Sequence, residues 1–207
     1  MKDKSQRQNM YLNGVDSILI APQAQINERG GIFPAKAGQD VATCPLGSSI
    51  NQLINMLRNE DWGVRQNAAK QLGENANKRT IEALIKTLRD DKDSFVRYRA
   101  AEALGKIASK RAVNALINAL GDPDLFVRRT AAEALGNIKD SRSINPLLSK
   151  VTECDDFSVC EAAAEALGNI GDPRALPELE QVAKGNSETN YKAKIAIEKI
   201  KAWQNER

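Results

Sequence analysis

The sequence predicts an all-α fold, an α-solenoid of about five tandem two-helix repeats stacked in one row. Three observations carry that prediction. One phrase recurs four times, from Asp61 to Gly73, Asp93 to Gly105, Asp124 to Gly136 and Asp156 to Gly168, with closing glycines 32, 31 and 32 residues apart. Apolar residues inside and before each phrase fall at helical spacing. The composition is 42% hydrophobic but 4% aromatic, and its small and aliphatic apolar residues suit closely packed helices better than a β-sandwich.

Residues 1–46 stand apart from the repeats. Asn, Gln, Gly, Pro and Ser are common there, with one apolar island from Val15 to Ala21. That composition leads us to expect a flexible N-terminal segment ahead of a repeat domain over 47–207. The island leaves open an extra helix or strand added to the first repeat.

Each repeat begins with a short leading helix. Its apolar residues recur at i, i+1 and i+4: Leu53, Ile54 and Leu57, then Leu84, Ile85 and Leu88, then Leu116, Ile117 and Leu120, then Leu147, Leu148 and Val151. The trailing helix starts at the phrase's Asp, which can accept hydrogen bonds from the first unpaired N–H groups. Val, an Ala-Ala pair and Leu follow on one stripe, and the closing Gly either ends the helix or permits close packing. Polar turns carrying Arg79, Arg111, Arg142 and Arg174 join one repeat to the next. A fifth unit lacks the phrase: Ala175 to Val182 reads as its leading helix and Tyr191 to Trp203 as its trailing one. Lys192, Lys194, Lys199 and Lys201 give it the polar outer face that a terminal cap requires.

Charge and residue usage narrow the function classes. Thirty Lys and Arg against twenty-seven Asp and Glu leave +3, too little field to hold a nucleic-acid backbone. Neither a secretory leader nor an apolar stretch of membrane-spanning length is present in the sequence, so a soluble cytoplasmic protein without membrane insertion is expected. Cys44, Cys154 and Cys160 are odd in number and lack CxxC spacing, which argues against a disulfide framework or a zinc site. The sequence contains no histidine. That removes the usual general base, the commonest transition-metal ligand and every Ser/His or Cys/His pair, so no metal site is expected.

The phrase D-x-x-V-R-x-x-A-A-x-A-L-G, with a D-x-R-A type of turn after it, resembles the HEAT-like repeats of the phycobilisome lyase family. The resemblance runs over about residues 49–184, and Asp93–Gly105 and Asp124–Gly136 fit it without departure. It implies the smaller subunit of a bilin lyase pair, of phycoerythrin type, assisting covalent attachment of a phycobilin to a client cysteine. The implied partners are a phycobiliprotein subunit and a second HEAT-like lyase subunit. The implied substrate is an open-chain tetrapyrrole, with no tightly bound cofactor. A non-enzymatic scaffold or chaperone for phycobiliprotein subunits fits the same residues, because a fold does not dictate a function.

Candidate site residues follow from chemistry. Arg65, Arg97 and Arg128 could line the concave face and hold the propionates of a bilin through bidentate guanidinium forks. Each lies four residues after Asp61, Asp93 or Asp124, and a structural Asp/Arg ladder between repeats is the preferred account of them. In the fourth repeat Cys160 takes the arginine's place. It is the single candidate nucleophile, a thiolate able to accept a bilin transiently, and its presence is expected to leave Asp156 without a partner. Trp62, Phe95, Tyr98, Phe126 and Phe157 cluster at the starts of the trailing helices. They read as a stacking surface for a flat ligand or a partner chain, or as packing between repeats.

Overall fold

A computed structural model of the protein describes residues 25–26, 32–33, 48–75, 77–153, 155–185 and 189–205. The chain divides into two units, Met1–Val41 and Ala42–Arg207. In the first, β1 (Gln25–Ile26) pairs antiparallel with β2 (Ile32–Phe33), Gln25 opposite Phe33 and Ile26 opposite Ile32. The apolar island Val15–Ala21 and Cys44 lie outside the described residues.

The second unit is the α-solenoid that the repeats predict. Its described helices form successive hairpins: α1 (Ile50–Met56) with α2 (Trp62–Leu72), α3 (Lys78–Asp90) with α4 (Ser94–Ile107), and α5 (Val113–Ala119) with α6 (Leu125–Ile138). Two more follow, α7 (Ile144–Thr152) with α8 (Phe157–Ile170) and α9 (Leu176–Lys184) with α10 (Thr189–Asn205). The trailing helices α2, α4, α6, α8 and α10 pack side by side more closely than the leading helices do, and form the inner row.

Local chemistry sets where these helices start. The side chains of Asp61, Asp93, Asp124 and Asp156 accept from the backbone N–H of Gly63, Phe95, Phe126 and Ser158 at 2.6–3.0 Å. Each therefore satisfies a donor that has no partner within its helix. Between repeats, Ser109, Asp140 and Asp172 do the same for short 3-10 turns that lead into α5, α7 and α9. The apolar stripes meet between the rows: Leu72, Leu104, Leu135 and Leu167 from inner helices and Leu84, Leu116, Leu147 and Leu179 from outer ones are fully buried. Each such side chain contributes about 1.5–3 kcal/mol through removal from water.

The phrase's glycine acts mainly through close packing. Only Gly73 stands at a helix end; α4, α6 and α8 continue past Gly105, Gly136 and Gly168. A Cβ on Gly73, Gly105, Gly136 or Gly168 would meet Ala103, Ala134, Ala166 or Ala196 of the next inner helix at 2.8–3.0 Å. Gly against Ala thus sets the spacing of the inner row. The three longer helices end later, in left-handed caps at Ala108 (φ 53°), Lys139 (φ 55°) and Gly171 (φ 73°).

The same register sets the outer face of α10. Ala196 of α10 lies against Gly168, so Glu198 stands where earlier repeats carry the glycine, and Lys194 where they carry the buried Ala69, Ala101, Ala132 and Ala164. Both are exposed. At the Gly–Ala positions of α10 this face therefore carries two charges, whose burial would be costly. At the other end Gln71 replaces the alanine that would face a preceding glycine. Of the four lysines from which a cap was expected, three turn to neighbouring helices: Lys192 lies 3.2 Å from Glu161, Lys199 3.3 Å from Asn169 and Lys201 2.9 Å from Glu180.

Candidate functional site

The recurring geometry of the arginine ladder organises the edge formed by the starts of the inner helices. Arg65 and Arg97 do not pair with the aspartates four residues before them, whose carboxylates are occupied by the caps. Each reaches instead into the next repeat. Arg65 donates from Nε and Nη2 to both carboxylate oxygens of Asp91 at 2.8 and 2.9 Å. Arg97 does the same to Asp122 at 2.7 and 2.8 Å. Their remaining nitrogens donate to the carbonyls of their own turns, Nη1 of Arg65 to Asn59 and Glu60 and Nη1 of Arg97 to Asp91.

Both pairs are shielded, with side chains 6% and 8% exposed for Arg65 and Asp91 and 11% and 9% for Arg97 and Asp122. The hydrogen bonds to Asp122 hold the Arg97 guanidinium above its ordinary pKa. The ladder predicted from the sequence therefore exists with different acids: Asp91 and Asp122, two residues ahead of the next cap. The signal was present, since Asn59, Asp91, Asp122 and Cys154 occupy one register position. With Nε and Nη2 closed on an aspartate, Arg65 and Arg97 do not offer that fork to a ligand carboxylate.

Arg128 differs. Its Nη1 donates to the carbonyls of Asp122 and Pro123 at 2.8 and 3.0 Å, and no carboxylate meets its fork among the described residues.

Cys160 is buried and its sulfur is in a disulfide, whose partner lies outside the described residues. This corrects two expectations. The chain does contain a disulfide, and Cys160 in that state presents no thiolate for attack on a ligand. Asp156 is also not orphaned, because its Oδ1 accepts from both the backbone N–H and the hydroxyl of Ser158 at 3.0 and 2.9 Å.

The aromatic residues fall along the same edge. Trp62 and Phe95 are half-buried and packed together, ring centroids 5.7 Å apart and tilted by 52°. Tyr98 and Phe126 are half-buried, and the Arg99 guanidinium lies 5.2 Å from the Tyr98 ring. Phe157 is 44% exposed, so the row is most open at the fourth repeat. The first part of it is packing between repeats; the exposed end is available for recognition.

Sequence reading missed the charged stripe on the inner row. Arg99 bonds Glu102 at 2.9 Å, Arg129 bonds Glu133 at 3.1 Å, and Glu161 and Glu165 both meet Lys192. Glu102, Glu133 and Glu165 share one register position after their caps, and that recurrence was the available signal. A separate cleft of about 500 Å³, lined by Ser49, Ile50, Asn51, Asn77, Lys78 and Arg79, lies at the starts of α1 and α3. Among the described residues, no group of three His, Cys, Asp or Glu side chains could hold a metal ion, and no helix is long and apolar enough to cross a membrane.

Stacked hairpins with a repeating inner stripe are what a family model describes: the model for HEAT repeats matches residues 50–134, 81–159 and 113–198. The chain belongs to the HEAT-repeat family. No curated protein matches it. Among solved structures, this HEAT-repeat chain is similar to the complex of CpcE and CpcF of phycocyanin lyase from Nostoc sp. PCC7120, with 29% identity and a TM-score of 0.65. That alignment covers 82% of this chain and 69% of that one. An engineered protein is 27% identical with a TM-score of 0.53, covering 74% of this chain and 79% of that one. A designed armadillo repeat protein in complex with the peptide (KR)4 shares the fold at 23% identity and a TM-score of 0.56, covering 73% and 81%.

Proposed function

We propose that this chain is a subunit or accessory protein of a bilin lyase, assisting attachment of an open-chain tetrapyrrole to a cysteine of a phycobiliprotein, with phycoerythrin as the preferred client. The observation that carries the reading is the likeness to the phycocyanin lyase complex over 82% of the chain at 29% identity. That relative is a complex of CpcE and CpcF, and we assign this chain a second HEAT-like subunit as partner in the same way. The exposed Lys194 and Glu198 on α10 support lateral docking of that partner over stacking on that face.

The mechanism we assign is positioning. The client thiol adds across an exocyclic double bond of the tetrapyrrole: a carbon–sulfur bond forms, the thiol proton passes to the pigment, and nothing leaves. Such an addition needs the two reactants held in one stereochemical pose, and orientation alone supplies several kcal/mol of a barrier. A chain without histidine is suited to this role and poorly equipped for proton transfer by imidazole. The disulfide state of Cys160 removes it as a transient bilin acceptor, and a non-enzymatic scaffold or chaperone for phycobiliprotein subunits stands as the second reading.

Co-expression with phycoerythrin subunits and a bilin supply, with and without a second lyase-like subunit, separates the two. Covalent pigment on the denatured client that depends on this chain is the expected result. Unchanged covalent pigment, with soluble client and free bilin present, would leave the scaffold.

A further inference from the structure

We propose that Arg128 is a carboxylate-binding residue, whose Nε and Nη2 fork takes from outside the chain the carboxylate that Asp91 and Asp122 supply to the equivalent arginines. The three arginines are anchored alike, each through Nη1 on carbonyl oxygens of its own turn. That anchoring orients the rest of the guanidinium toward the next repeat. For Arg65 and Arg97 the fork then closes on an aspartate there. For Arg128 the register position of that aspartate is Cys154, and no other acid of the fourth repeat fills in. Asp155 is exposed and forms no ion pair with Arg128, while Asp156 is committed to the cap of α8.

The result is that Arg128, half-buried as a residue, has Nε and Nη2 without a partner among the described residues. Guanidinium donors match a carboxylate bidentately, and leaving them unmatched while partly desolvated is costly. Phe157, 44% exposed, begins the neighbouring helix α8 and gives the next repeat an apolar surface. A ligand that suits both carries a carboxylate on an apolar body: an acidic side chain within a partner's apolar surface, or a small molecule bearing a carboxylate. This inference stands apart from the lyase reading and does not need it.

The test uses the full chain labelled with nitrogen-15, following the Arg128 Nε–Hε resonance, assigned by its loss in Arg128→Gln. The probes are a tetraglutamate peptide, an open-chain tetrapyrrole bearing two propionates, and the dimethyl ester of that tetrapyrrole. A saturable shift with tetraglutamate points to a protein carboxylate; a shift with the tetrapyrrole and none with its ester points to a ligand carboxylate. In either case Arg128→Gln should weaken binding at least fivefold, Arg128→Lys should recover part of it, and Lys150→Gln, a charge control elsewhere, should leave it unchanged. No shift with any probe, or equal binding by Arg128→Gln, overturns the proposal. Binding that appears only after Asp155→Asn also overturns it, since Asp155 would then be the missing rung.

Discussion

Replacing Gly136 by alanine sets two opposed effects against each other. Alanine is favoured over glycine inside a helix by about 1 kcal/mol, and α6 runs through this position. The added Cβ, however, would lie 2.8 Å from Ala166 Cα and 2.9 Å from Ala166 Cβ. Non-bonded carbons prefer roughly 3.5–4.0 Å, so α6 and α8 must separate by most of an ångström. The nearer atom is backbone, and no rotamer change relieves it. Overpacking of this kind costs typically about 1–3 kcal/mol, and the separation also loosens a nearest-neighbour interface on which a solenoid's stability depends.

We therefore expect Gly136→Ala to be destabilised by about 1–2 kcal/mol net, a fall in the urea midpoint of roughly 0.5–1 M. Helix content followed by circular dichroism during urea unfolding reads it directly. Gly121→Ala is the contrast: its Cβ would meet nothing nearer than the Asn118 carbonyl oxygen at 3.5 Å, so it should be neutral or stabilising by about 0.4–1 kcal/mol through the unfolded chain. Adding Ala166→Gly to Gly136→Ala should recover part of the loss, because one of the two short contacts disappears. A Gly136→Ala protein as stable as the parent, or more so, would refute the assignment of this glycine to helix spacing.

Two further outcomes follow from the ion pairs. Arg97→Ala leaves the shielded Asp122 carboxylate without its fork partner and should cost about 3 kcal/mol, while the Arg97→Ala, Asp122→Ala double variant should lose less than the sum of the singles in the same unfolding assay. Hydrogen bonds from Arg142 lower the pKa of Asp140 from 3.8 to about 2. The folded value lies below the unfolded one, so this pair stabilises the fold above about pH 4 and its contribution is lost as pH falls toward 2. The stability difference between the parent and Arg142→Ala should accordingly be full at neutral pH, fall between about pH 4 and 2, and vanish only below the folded pKa of about 2.

The fold was legible because its signals are local. A cap acts over three residues and a helical stripe over four, and both are written in each repeat, so hairpin order and helix starts could be read from Asp61, Asp93, Asp124 and Asp156 alone. The site was less legible. Spacing within one helix suggested that Arg65 and Arg97 belong to the capping aspartates, yet a carboxylate already accepting backbone N–H bonds is a poor free partner. The true partners lie 26 and 25 residues on, at Asp91 and Asp122.

The sequence by itself determined the unit, its period and the helices, since each rests on contacts between residues close in the chain. Only the tertiary structure decided which residues meet across repeats. Stacking at the distance allowed by glycine against alanine brings each arginine to the next turn, turns the glycine from a helix stop into a spacer, and leaves Arg128 with an open fork. Those outcomes depend on the distance between neighbouring inner helices, which no pattern within one repeat contains.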